Sequence, residues 1–296
     1  MGSSKTQSEH MAEKTLYIEL FQPFAQYRNQ FTFYYAQSYP LPPKSTVIGM
    51  LQNATGKYYN KDFWNLKVSV HGGFESVFWN YQNLIKGNIS ISKVGLLNKH
   101  DRNPLGKNIW HPLYHSNIKA QRTPVYQQEL FNGHLYIFIR GDTELIELIK
   151  SSLEKPKKVL YLGRSEDVVF TKNVIDINAY DAERSVKTVK KNIWLSYPTY
   201  IKLRDKDSGK QFPIKNEKFP VYSIPIRVEF WNNGNRIKNK AELSKETERR
   251  VDFETVIHTG LDYVIYLSKN IEIEIFKLNL NGKNLIFKIP MDFGWL

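Results

Sequence analysis

The sequence predicts an α+β fold: a ferredoxin-like core with a long basic β-hairpin arm, followed by a β-rich C-terminal part. Three observations predict it. Apolar periodicities across roughly residues 15–180 follow the order β-α-β-β-α-β. A one-sidedly basic stretch at about 86–122 interrupts that order before the third strand, and from residue 181 onward the runs are mostly short and strand-like. Residues 1–11, MGSSKTQSEHM, read as an appended leader ending at Met11 and are set aside; the core is expected over 12–180 and the β-rich part over 181–296.

Leu16, Ile18 and Leu20 alternate with Tyr17 and Glu19, the period of a strand. In YPLPPKSTVIGMLQNATG (39–56), Pro40, Pro42 and Pro43 hold the chain extended. Ser45 or Thr46 is expected to cap a helix with Val47, Ile48, Met50, Leu51 and Ala54 on its apolar face and Gly56 at its end. Leu66, Val68 and Val70 mark the second strand, which Gly72-Gly73 is expected to break before an extended piece at Phe74–Trp79. Leu135, Ile137 and Ile139 mark the third. Asp142 is placed to cap a second helix bearing Leu145, Ile146, Leu148, Ile149 and Leu153. A strand near Val159–Leu162 and an extended run at Val168–Ile177 complete the core. Beyond it, strands are expected at Tyr222–Phe230, Tyr263–Leu267, Ile271–Leu278 and Leu285–Ile289, with a charged, helix-compatible stretch at Ala241–Arg250.

The 296 residues carry 42 Lys+Arg against 29 Asp+Glu, a net charge of +13, so a polyanion is the expected partner. There is no cysteine, which excludes disulfides and thiolate metal sites and fits a reducing, cytoplasmic setting. No apolar run approaches membrane-spanning length, so no membrane partner is expected. No Walker loop, GxGxxG, nucleophile elbow or HExxH is present, and the acidic residues are scattered rather than grouped as a two-metal nuclease requires.

Where an anion would bind is suggested by three segments. The first turn of the helix after Pro43 offers unpaired N–H groups beside Lys44; an ordinary capped helix packed on a sheet is the alternative. Residues 86–122 hold seven Lys/Arg against the single acid Asp101, with Trp110 and Tyr114 among them, a composition suited to RNA or to a solvated loop. In YLGRSED (161–167), Gly163 lets backbone approach a ligand and Arg164 could reach a phosphate, or an Arg–Glu pair could simply close the turn. Around Arg28, Tyr27, Phe31, Phe33, Tyr34, Tyr35 and Tyr39 supply more rings than a core there needs.

YPLPPKSTVIGML after the first strand, TPVYQQELF leading into the third and YLGRSED after the second helix resemble the fifth family of CRISPR-associated proteins. The resemblance spans roughly residues 15–180 and is nearest in character to type I-B members. It implies a RAMP fold, which is RRM-like: a ferredoxin-like palm with a hairpin thumb at 86–122. It implies a non-catalytic subunit that grips the 5′ handle of the crRNA in a type I Cascade complex for antiviral defence. The implied neighbours are the multi-copy backbone subunit and the large subunit, with target DNA reached through the complex and no cofactor or metal. On this chain, Arg28, Lys44, Ser45 and Arg164 would line the handle site, and Lys99, Arg102, Lys107, Lys119 and Arg122 the thumb.

One subtype of that family cleaves repeat RNA without metal, through a Tyr/Lys/His site. His111, Tyr114, His115 and Lys119 have the matching chemistry, so a processing endoribonuclease is the alternative. His111 and His115 have zinc-like spacing but no evident third ligand. His71, His134 and His258 lie in strand-like contexts and are expected to be structural. A sequence-tolerant single-strand binder is the remaining class.

Overall fold

The computed structural model describes residues 13–32, 35–86, 121–178, 182–206, 208–215, 218–244, 246–260 and 263–296, the side chains of 83–86 and 121–123 excepted. The expected arm at 86–122, with Lys99, Arg102, Lys107, Lys119 and the histidines His111 and His115, lies outside these residues, as does the leader. Arg122 is described only as backbone, paired with Ile85.

The fold is mostly strands, with two twelve-residue helices. Its largest sheet takes β1 (Glu13–Ala25), β3 (Lys67–Lys86), β4 (Gln121–Asp142) and β5 (Phe170–Asp176) in the antiparallel order β3-β4-β1-β5, with the two-residue β2 (Tyr35–Ala36) added parallel to β4. Helix α1 (Lys44–Thr55) follows β1 and β2, and α2 (Thr143–Glu154) follows β4. Both helices pack on one face through Val47, Ile48, Met50, Leu51, Ile146, Ile149 and Leu153, against Leu16, Ile18, Leu20, Ile137 and Ile139. Each such buried side chain contributes about 1.5–3 kcal/mol. Asp142 caps α2 as expected, accepting from the backbone N–H groups of Glu144 and Leu145. Gly56 ends α1 at φ 71°.

The helix after Pro43 departs from the expected cap. Pro43 itself is the N-cap, and its carbonyl accepts from Thr46 and Val47 at 3.0 and 3.1 Å. An extended proline already points its carbonyl along the first turn, so Ser45 and Thr46 fall inside the helix.

Gly72-Gly73 does not break the second strand; β3 runs through it for 20 residues. At Gly72, with φ +114°, an added Cβ would lie 2.1 Å from the His134 carbonyl oxygen. The glycine therefore lets two strands come closer than any side chain would allow. Beyond this point the β3–β4 ladder continues to Lys86 opposite Gln121.

Residues 159–162 form no strand. Leu160 and Leu162 are buried, but the main chain closes on its own loop: Leu162 donates to Asp167, and Val169 to Leu160. The charged stretch at 241–250 is not helical beyond a 3₁₀ turn at Lys240–Glu242, and its end opens β11 (Glu248–His258).

The C-terminal part covers both faces of the main sheet. Strands β6 (Glu183–Val189), β13 (Ile271–Leu280) and β14 (Lys283–Pro290) form one sheet, whose Phe276, Leu278 and Phe287 pack on Tyr17 and Phe138. Strands β8 (Tyr200–Lys202), β9 (Val221–Asn232) and β10 (Asn235–Arg236) join β11 in another, and Tyr200, Ile224 and Val256 enter the helix-side core. The pair β7 (Asn192–Trp194) and β12 (Val264–Tyr266) completes the part. The edge of β3 is closed by Leu296, which exchanges backbone hydrogen bonds with Val68, and by Gly72 donating to Pro198.

Gly72→Ala should lower unfolding free energy by about 2–4 kcal/mol, since both the φ and the contact oppose it. Urea denaturation of the full chain measures this, and Gly209→Ala, with positive φ but open space around it, should cost distinctly less.

Candidate nucleic-acid interface

A cleft of about 380 Å³ opens between α1 and the β9–β11 sheet. Ser45, Thr46, Gly49 and Gln52 form the helical wall, and a Cβ added at Gly49 would meet nothing within 4 Å. Tyr58, Tyr59, Trp64, Tyr161 and Phe230 supply rings, and Arg236 and Arg249 supply charge. Arg236 is held in place, donating to the Tyr59 carbonyl at 3.0 Å and pairing with Glu229 at 3.0 Å. Burial pushes the Glu229 carboxyl up, but Arg227 and Arg236 outweigh it and hold the group below the usual carboxylate range. Arg249 lies opposite Phe230 on β11, is exposed, and has no ion-pair partner among the described residues. Rings that can stack and a guanidinium open to solvent suit an unpaired base with its phosphate.

The expected handle residues are only partly brought together. Ser45 lines the cleft, and Gly163 lies across from it. Arg164 turns away: it donates to Asp167 at 2.8 Å, pairs with Glu129 at 3.1 Å and reaches Glu166 at 3.3 Å. Asp167 is itself buried and also accepts from the backbone of Gln26 and Arg164. Gly163 is required here because a Cβ would lie 2.7 Å from that carboxylate. Of the two readings of YLGRSED, the structure has the turn closed by arginine–carboxylate pairs.

Lys44 also departs from its expected place at an anion site. It is buried, and its Nζ donates to the main-chain oxygen of Leu296 at 3.1 Å. Burial, with Lys202 and Arg227 nearby, lowers its pKa to about 8. Arg28 is exposed, on a turn bridged to Ser38. Among the rings around it, Tyr27 and Tyr39 are core, whereas Phe31 and Tyr35 face solvent. Sequence reasoning missed Tyr58, Trp64, Arg236 and Arg249. The Tyr58-Tyr59 pair just after Gly56 was a usable signal; the arginines come from strands whose alignment with α1 no local pattern gives.

The described histidines are structural. Burial lowers His71 to about 3, where it bonds Ser69 at 3.0 Å, and lowers His258 to about 4. His134 packs on Phe21. Among the described residues no group of three His, Asp or Glu could hold a metal ion, and no helix is long and apolar enough to cross a membrane.

The family model described as CRISPR-associated protein (Cas_Cas5) matches residues 15–257. The chain belongs to the Cas5 family. This Cas5 chain is also similar to solved structures at low identity. A chain of a CRISPR RNA-guided surveillance complex is 13% identical, with TM-score 0.44, covering 86% of this chain and 90% of that one. A Cas protein known from a crystal structure is 13% identical, with TM-score 0.40, covering 84% and 95%. A CRISPR protein from Archaeoglobus fulgidus is 11% identical, with TM-score 0.34, covering 93% and 99%. No curated protein sequence matches. The family assignment rests on the sequence match over 15–257.

Because the unfolded chain holds the Lys44 proton up to its ordinary pKa of 10.5 while the folded protein gives it up near 8, stability should rise with pH across that window. Lys44→Met should lack this rise. Urea midpoints of both proteins near neutral pH and at pH about 9.5 check it, the difference between them isolating Lys44 from other titrating groups.

Proposed function

We propose that this Cas5-family chain is a non-catalytic crRNA-binding subunit of a type I CRISPR effector complex that caps the 5′ handle of the guide and organises assembly. The observation that carries the reading is the cleft beside α1, where five aromatic rings and the open Arg249 gather at the segment that bears the family-like YPLPPKSTVIGML. Stacking sites next to a cation suit a short single-stranded handle better than a duplex.

Other features support it. The order β3-β4-β1-β5 with both helices on one face supports a ferredoxin-like palm over 12–180. The ladder that leaves the sheet towards Lys86 and Gln121 supports a hairpin thumb at 86–122, whose seven cations would track phosphates. Arg28 and Ser45 remain handle contacts in this reading, and Arg236 and Arg249 join them. Lys44 and Arg164 act instead by fixing the walls. The backbone subunit and the large subunit would be its neighbours, in the cytoplasm, with target DNA engaged through the complex.

One gel tests this: purified full chain, 5′-labelled repeat RNA and a scrambled control, in EDTA, across a salt series. Intact repeat RNA retained in preference to the control is the expected result, with Arg249→Ala weakening retention about tenfold. A discrete cleavage product that disappears in His111→Ala/His115→Ala would replace the reading with a metal-independent endoribonuclease. Equal retention of both RNAs would point to a sequence-tolerant binder.

A further inference from the structure

Away from the cleft, four large rings lie uncovered where the β3–β4 ladder begins to leave the sheet. Tyr35 on β2 stacks on Tyr126 of β4, with centroids 5.8 Å apart and planes 13° from parallel. Trp79 of β3 meets Tyr35 edge-on at 6.2 Å, and Tyr81 meets Tyr126 edge-on at 5.4 Å. Their exposures are 63% for Tyr35, 46% for Tyr126, 48% for Trp79 and 53% for Tyr81. Leaving four contacting rings half open to water forgoes burial that a fold would ordinarily take up, so a continuous patch of this kind marks a binding surface.

We propose that this cluster is a second stacking platform, for unpaired bases of single-stranded RNA whose phosphates continue onto the basic 86–122 segment. The inference rests on the capping reading for the identity of the RNA. Charge selects this occupant. Five ladder positions beyond the Tyr81–Tyr126 pair, at Lys86 and Gln121, the chain enters the segment with seven Lys/Arg and one acid. On the other side, exposed Arg28 lies on the turn bridged to Ser38, whose N–H is held by Gln128, the residue opposite Trp79. The acid nearest in the ladder, Glu129, is already engaged by Arg164 and Asn80 and opposes no phosphate. A patch of π-faces with cations at both ends matches a strand that alternates bases and phosphates. Each ring also ends in a hydroxyl or indole N–H that stays wet, as base stacking allows and a dry protein interface would not.

The test uses the full chain and a short single-stranded repeat RNA carrying 2-aminopurine at successive positions. The wild type should quench the probe at one or more positions. Trp79→Ala and Tyr126→Ala should relieve that quenching and weaken binding about tenfold each, while Tyr126→Phe retains both. The slope of affinity against salt should not change in these variants, because a stacked base releases no counterion. Tyr35→Ala, which removes the most exposed ring, should keep the wild-type thermal transition and still lose quenching, which separates the effect from misfolding. Unchanged quenching and affinity in all three alanine variants would overturn the platform. So would variants that bind RNA normally but lose association with a protein subunit, which would make the patch a protein-docking face. A wild type that binds repeat RNA with no quenching at any position overturns the platform and leaves the capping reading standing; one that binds no RNA overturns both.

Discussion

Glu274, on β13, has no exposure to water, yet carries a charge that the two halves of the chain must neutralise together. Arg140 of β4 grips both its oxygens at 2.9 and 3.1 Å, Arg184 of β6 donates at 2.6 Å, and the Trp295 indole donates at 2.9 Å. Burial pushes the carboxyl up, but these donors outweigh it and hold it below the usual carboxylate range. Arg140 in turn lies over the Trp295 ring at 4.3 Å and donates to Thr15 of β1. Losing one partner of such a buried pair strands the other, at a cost of about 3–5 kcal/mol, so the elements that contribute it cannot separate independently. With Trp295 fixed, Leu296 is delivered to the edge of β3 and to Lys44, which sets the start of α1 and one wall of the cleft.

Much of the main sheet was legible because its strands and helices carry strong periods: Leu16-Ile18-Leu20, the α1 face, the Asp142 cap. Failures came where a local pattern had two solutions. Val159–Leu162 looks like a strand because its leucines are buried, but burial says nothing about where the backbone bonds go, and here they go to the adjoining loop. Gly72-Gly73 looks like a stop because glycine usually weakens a strand, whereas here it admits a neighbouring backbone. The alternating charges of Glu248 and Arg250 face solvent on a strand, with Arg250 over the Trp231 ring at 4.4 Å, an arrangement that a helix-minded reading cannot anticipate.

The site was legible as chemistry and not as wiring. Lys44, Ser45 and Arg164 do stand at places that matter, but the sequence shows a cation without showing what neutralises it. The partner of Arg164 three residues on, Asp167, was in view; Glu129, 35 residues back, was not. Lys44 is committed to an oxygen 252 residues away. Once such long-range partners are known, the cations left for a ligand are those on the surface strands, Arg249 among them.

The unbroken β3–β4 ladder has a mechanical consequence. From Gly72 to Lys86 the strand extends about 45 Å at ~3.3 Å per residue. Its root is clamped where Gly72 meets His134 and Pro198. A two-stranded ribbon anchored at one end behaves as a lever, so a twist of about 5° at the root would sweep the far end through ~4 Å. Whatever grips the tip can therefore sense small torsions at the palm, and a neighbour pulling on the tip can apply torque to the sheet.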